Sequence, residues 1–158
     1  MAGANSLLTE QYPNDFQVIT IYSSPSSTSN DPLPILYADR NIVIDSIVVG
    51  VRTPAPESGA RVAFEVAGAP NSEASTEVVC TANIDTAETS AGDTFVFTTN
   101  RVIRTSSGGS SLPTPSSTPI SSSVNLVEKG KWLVADFSAG NLTAFRLLIQ
   151  VRFRSLVA

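Results

Sequence analysis

The chain has 158 residues and a mass of 16.6 kDa, enough to bury a hydrophobic core without a metal or a disulfide. A formal net charge of −4 argues against a nucleic-acid-binding protein, which needs basic groups to neutralise phosphates. The single cysteine excludes an internal disulfide, and no apolar run approaches the about 18 residues of a membrane span. The composition therefore predicts one soluble domain that binds neither nucleic acid nor membrane.

Residues 1–14 are predicted to form an N-terminal arm that precedes the domain. Leu7, Leu8 and Tyr12 are its large apolar side chains. One interpretation is a frayed terminus, and the other is an arm that docks on a neighbouring molecule through these three side chains. The segment has neither the basic start nor the apolar core of a secretory signal, so we expect synthesis in a reducing cytoplasm.

The first half of the domain reads as four strands. Residues 15–22 are rich in β-branched and aromatic side chains, and 35–37 form a short edge strand. Apolar residues on both faces of 40–52 predict a central strand, covered on two sides or with one face at a subunit interface. Gly50 within it predicts a bulge or a close backbone approach. The proline-containing turn after it predicts a hairpin with 60–67.

The second half ends in the strand with the clearest pattern. Apolar and polar residues alternate along 142–154, which predicts one buried and one solvated face. Before it, 76–82 and 94–104 are expected as strands, the latter as one strand or a pair, and 124–127 and 132–137 flank a tight turn. The buried stripe of the last strand is predicted to comprise Phe145, Leu147, Ile149, Val151 and Phe153.

Residues 106–123, hereafter the serine-rich segment, interrupt this succession of strands. The segment contains nine serines, three prolines, two glycines and no charge. Such a composition offers little apolar surface to offset the entropy lost on ordering. It predicts either a mobile surface loop or an extended finger that a partner orders.

About eight strands with frequent turn signals and no helical periodicity predict an all-β fold. The pattern is typical of an antiparallel β-sandwich, jelly-roll-like in topology. We therefore expect the arm at 1–14 and a single sandwich domain at 15–158, with the serine-rich segment as a long loop.

The chain lacks the side chain that enzymes use most often for acid–base catalysis and metal binding. It has no histidine, the commonest general base and metal ligand. Cys80 lies in an apolar strand and is expected to be a buried structural thiol. No catalytic, cofactor-binding or metal site is predicted, and an enzyme on a sandwich scaffold is the least favoured function. A carboxylate pair could act on glycosides, but the acids on predicted strands all fit outward polar positions: Asp45, Glu65, Glu77 and Asp136.

Three arginines share the outward face of the last strand. The intervals between Arg146, Arg152 and Arg154 are even numbers of residues, which places all three on the same face of a strand. They form either a solvated face or a polar contact with an acidic neighbour, for which arginine is suited by its bidentate pairing.

Two stretches of the chain resemble structural proteins of tailed-bacteriophage virions. Residues 37–40 and the strand, proline turn and alternating strand that follow to residue 68 resemble one part of that pattern. Residues 126–133, with a lysine-glycine turn before a hydrophobic strand, resemble another, although Lys131 stands where that family often has aspartate. The Gly140–Asn141 turn and the long strand to Phe153 complete the resemblance.

The resemblance implies a jelly-roll-like domain on the virion surface and no catalytic residue. The function expected from it is that of a capsid decoration (cement) protein, a homo-oligomer, with a trimer favoured, that binds the major capsid protein and stabilises the head. The alternative is a receptor- or glycan-binding module of a head fibre or tail, for which Tyr22, Tyr37 and Trp132 are candidate sugar platforms.

Overall fold

The computed structural model describes residues 17–23 (backbone), 32–71, 76–114, 116–138 and 145–156, and it is all β in these ranges. No helix long and apolar enough to cross a bilayer is present in that part of the chain. The eleven strands are β1 (Gln17–Ser23), β2 (Leu33–Tyr37), β3 (Ile42–Thr53), β4 (Arg61–Ala67), β5 (Glu77–Asn83), β6 (Thr94–Thr98), β7 (Arg101–Thr105), β8 (Ser111–Leu112), β9 (Leu126–Val127), β10 (Trp132–Ser138) and β11 (Arg146–Ser155).

The strands form two antiparallel sheets. The large sheet has the order β1-β11-β3-β6-β7-β8, and β9 pairs with the first residues of β3 on the edge that β6 also uses. The small sheet has the order β2-β10-β4-β5. The predicted edge strand at 35–37 is confirmed, because β2 lies at the edge of the small sheet.

Strand pairing is nested along the chain. β1 pairs with β11, β2 with β10, β3 with β6, and β4 with β5. Among these eight strands, the four of each half alternate between the two sheets, which is the topology of a jelly roll; β7, β8 and β9 are additional strands of the large sheet. The predicted jelly-roll-like sandwich is therefore the fold of the described residues.

The core lies between the two sheets, and the last strand supplies its centre. All five residues of the predicted stripe of β11 are buried, from Phe145 to Phe153. They face Phe64, Leu133 and other side chains of the small sheet within one apolar cluster. The period-2 prediction for this strand is confirmed.

A β-bulge changes the two-faced pattern predicted for β3. The register with β11 shifts between Arg152 and Phe153, which places an extra residue at 45–46 of β3. As a result Ile44 and Ile47 point to the same side, and one face of β3 is entirely core. The other face is half-exposed, so cover on two sides does not hold within the described residues, and the alternative of one face at a subunit interface stays a prediction.

Two further predictions about this region are corrected. β3 and β4 do not form a hairpin, since β3 belongs to the large sheet and β4 to the small one. The connecting turn instead crosses between sheets, and Ala55 donates to the carbonyl of Ile84 at 2.7 Å. Gly50 pairs in regular register with Leu148, and a Cβ added there would make only an ordinary contact at 3.6 Å.

The domain itself orders the serine-rich segment. It includes β8. Beyond β8, Thr118 exchanges two backbone hydrogen bonds with Thr81 of β5, the edge strand of the small sheet. Ile120 donates its N–H to Thr98 of the large sheet and is 1% exposed. The segment therefore closes one open side of the sandwich, and its single isoleucine joins the core.

A buried ion pair fixes the β6–β7 extension of the large sheet. The guanidinium of Arg104 donates to Asp93 Oδ2 from Nε at 3.1 Å and from Nη2 at 2.7 Å, and to the carbonyl of Pro113 from Nη1 at 3.2 Å. It also lies 5.6 Å from the centroid of Phe95, within cation–π range. Asp93 in turn accepts the N–H of Ser90 at 2.9 Å. This pair ties the serine-rich segment to the loop before β6.

Candidate interaction surface

The large sheet has an outer face that no described part of the chain covers. Alternation along each strand sends every second side chain away from the core, and these side chains are half-buried or exposed. We call this surface the outer face. Its residues come from β3 (Val43, Asp45, Ser46, Val48, Gly50, Arg52), β6 (Thr94, Val96, Thr98), β7 (Arg101, Ile103, Thr105) and β11 (Arg146, Leu148, Gln150, Arg152, Arg154).

The middle of the outer face is uncharged. The pairing register aligns Gln150, Val48, Val96 and Ile103 in one row across four strands. Ile103 is 38% exposed and is one of the exposed large apolar residues of the described chain. The next row is also neutral, and we call the two rows together the neutral belt. That second row consists of Leu148, Gly50, Thr94 and Thr105.

Arginines lie on both sides of the neutral belt. On one side the register places Arg152 and Arg101 in a single row, on β11 and β7. Arg154 follows one row farther out, with its Nε 3.3 Å from Asp45 Oδ1. On the other side lie Arg146 and Arg52, both exposed. The belt is therefore framed by charge that can pair bidentately with carboxylates.

The structure places the predicted interface residues as follows. Arg146, Arg152 and Arg154 are exposed and share the outer face, as the period-2 pattern indicates. Leu7, Leu8 and Tyr12, predicted as an arm contact, lie outside the described residues.

Sequence reasoning missed the other members of this surface. Arg52 and Arg101 lie far from β11 along the chain and join its arginines only through strand pairing. Ile103, in a strand whose buried residue is Arg104, has an inverted pattern: the apolar side chain is exposed and the charged one is buried. That inversion is visible only in the structure, because nothing in the sequence of β7 shows that Arg104 rather than Ile103 is buried.

A second feature is an aromatic groove at one end of the sandwich. Tyr37 is 53% exposed, and its ring centroid lies 5.1 Å from that of the half-buried Trp132. Beside it, a groove of about 400 Å³ is lined by Tyr37, Asp39, Arg40 and apolar neighbours from β2, β3 and β11. Arg40 donates two 3.0 Å hydrogen bonds to Asp39, which lower the pKa of that carboxyl below its usual range. Tyr22 lies in β1, next to Leu148 in register.

A polar depression of about 530 Å³ lies at the loops after β3 and β5. Its buried carboxylate, Asp85, accepts the N–H of Gly59 at 2.8 Å and of Glu88 at 3.0 Å. Asn83 donates to the same carboxylate through its side-chain amide at 3.5 Å. Because these donors use the lone pairs of Asp85, its role is to hold two loops together.

The remaining titratable groups do not converge on one point. Asp45 lies on the outer face of the large sheet, whereas Glu65, Glu77 and Asp136 belong to strands of the small sheet. The outward position expected for Glu65 is wrong, because the register of β4 with β5 shifts between Phe64 and Glu65 and Glu65 is buried. Within the described ranges no group of three potential metal ligands occurs. Cys80 is buried, and burial raises the pKa of its thiol far above the usual range.

The comparisons with known proteins give no family for this arrangement. No family model, no curated protein and no solved structure matches the chain.

Proposed function

We propose that this chain is a virion structural protein, a capsid decoration protein that binds the major capsid lattice and stabilises the head through multivalent contacts. The observation that supports it is the neutral belt framed by arginines on an otherwise well-packed sandwich. A broad, partly apolar face that no described part of the chain covers is the kind of surface that binds another protein.

The dimensions of the outer face suit a specific interface. The four strands whose side chains form the outer face, spaced by about 4.8 Å, give a width of about 19 Å, and eight residues along β11 give a length of about 27 Å. The resulting area is on the order of 500 Å² on each partner, or about 1,000 Å² in total, which is the lower limit expected of a biological interface. Its composition, an apolar centre with arginine at the rim, matches that of protein–protein interfaces.

Multivalency converts one such contact into lasting attachment. A closed cyclic oligomer, with a trimer favoured, presents identical outer faces to several capsid subunits at once. Simultaneous engagement raises the overall affinity by roughly 10²–10⁴ over a single contact. Each face can then bind weakly and still hold the shell against internal pressure from packaged DNA.

The test is co-sedimentation with capsid shells purified without this protein. We expect the wild-type protein to bind and to be a trimer by size exclusion with light scattering. The double variant Val48→Asp/Val96→Asp places two charges in the neutral belt and should abolish binding. Val78→Asp, at a 46% exposed valine of the small sheet, is the matched control and should bind normally. A monomer that ignores the shells would contradict the proposal.

A second candidate function, glycan binding by a fibre or tail module, is favoured by the aromatic groove. Exposed aromatic rings offer a flat apolar surface to sugar rings, and Tyr37 is the most exposed large apolar residue of the described chain. A glycan array decides between the two. Hits that Tyr37→Ala removes, together with no binding to shells, would select the glycan-binding function.

A further inference from the structure

Charge is segregated in this acidic protein. The outer face bears five of the chain's ten basic residues and one acid, Asp45, for a net charge of +4. Elsewhere, the described residues carry five basic and nine acidic groups, a net charge of −4. The strand β1, which completes the sheet, adds no charged residue. The outer face is therefore basic although the net charge of the chain is −4.

The basic groups of this face form two clusters separated by the neutral belt. Arg101, Arg152 and Arg154 make up one cluster, and Arg52 and Arg146 the other. Arg152 lies six positions beyond Arg146 along β11, a distance of about 20 Å. The screening length is about 8 Å at physiological salt, so each cluster acts on its own local partner there.

From this pattern we propose that the partner surface is an acidic protein surface, with two groups of carboxylates about 20 Å apart on either side of an uncharged, partly apolar contact. The inference rests on the proposed function and specifies the partner's chemistry. Arginine pairs bidentately with carboxylates, and complementary potentials set the orientation of docking and its rate. With charge at both ends and none between, the face fixes the position of its partner along the strands.

The same pattern disfavours nucleic acid. A duplex presents one phosphate charge per about 1.7 Å of its axis, and proteins that bind it track this charge with a continuous basic stripe. Here the basic groups are interrupted by Val48, Val96 and Ile103, and the described outer face offers no aromatic ring for stacking on bases.

The experiment measures binding of the full chain to immobilised poly-L-glutamate and, separately, to a duplex DNA of about 30 base pairs, from about 10 mM to 150 mM salt. Arg101→Glu/Arg146→Glu reverses one charge in each cluster. Arg61→Glu/Lys129→Glu makes the same change in net charge at two exposed residues away from the outer face and is the matched control. Circular dichroism and the melting temperature verify that both variants fold.

We expect poly-L-glutamate binding that weakens as salt rises, falls at least about tenfold in the outer-face variant and changes less than about twofold in the control. Equal losses in both variants, or no binding at low salt, would overturn the inference. So would tighter binding to DNA than to poly-L-glutamate at 150 mM salt that depends on Arg101 and Arg146. Binding to poly-L-glutamate through the outer face without binding to shells would leave this inference intact and refute the decoration function.

Discussion

The folded protein is expected to lose less stability when both charges of the Asp93–Arg104 ion pair are removed than when only one is removed. The two side chains are 3% and 8% exposed, and their shortest contact is 2.7 Å. Removing one partner leaves the other charge buried and uncompensated, which costs about 3–5 kcal/mol. We therefore expect Arg104→Met and Asp93→Asn, each alone, to lower the free energy of unfolding by about that amount.

The double variant Asp93→Asn/Arg104→Met removes both charges and keeps an acceptor for the N–H of Ser90. Since replacing a whole buried pair is often nearly neutral, we expect it to be more stable than either single variant. Arg154→Met breaks the more exposed contact with Asp45 and should cost only about 0.2–1 kcal/mol.

The assay is equilibrium unfolding in urea, followed by the fluorescence of the single tryptophan. An unchanged dependence on urea in all variants shows that the same structure unfolds. The reasoning fails if the single variants lose less than about 1 kcal/mol, or if the double variant is less stable than both of them.

Three further predictions concern packing, backbone strain and pH. Ile120→Ala should lower the free energy of unfolding by about 2–5 kcal/mol and make the serine-rich segment accessible to protease. Ile103→Ala, at an exposed position, should lower it by less than about 1 kcal/mol and leave the rate of cleavage unchanged. Gly92 and Gly130 both have positive φ, but only at Gly92 would a Cβ clash, at 2.6 Å; Gly92→Ala should therefore lower the melting temperature more than Gly130→Ala. Burial raises the pKa of the Cys80 thiol, so the folded protein keeps the thiol protonated above pH 9, the ordinary pKa, where the unfolded chain loses the proton. The free energy of unfolding should therefore be constant below pH 9 with respect to this group and fall above it by about 1.4 kcal/mol per pH unit. Cys80→Ala should be less sensitive to pH in that range, and equal sensitivity in both proteins would contradict the assignment.

The fold class follows from local alternation, whereas the sheet assignment does not. Phe145 and Val151 alternate with polar residues, so the buried face of β11 is readable from the sequence alone. β3 and β4 also alternate, but nothing in the intervening turn shows that the chain changes sheets there. That outcome is set by the pairing of β4 with β5, the next strand along the chain, and with β10, which is distant in sequence.

The candidate site was predictable to a similar extent. Arg146, Arg152 and Arg154 share a face by spacing, and the structure places them on one surface. Arg101 joins them because β7 pairs with β6 after a tight turn, in which Asn100 adopts a positive φ of 66°. Register between strands, which is a property of the whole sheet, therefore decides the composition of the outer face.

The nested pairing has a consequence for the order of folding. β11 lies between β1 and β3, so two strands made early in synthesis lack a neighbour until residue 155 has left the ribosome. Their backbone edges stay open during translation, a state that favours wrong pairing with other nascent chains. We expect the large sheet to close only after β11 has emerged, in a slow step of milliseconds to seconds that is typical of sandwiches dominated by distant contacts.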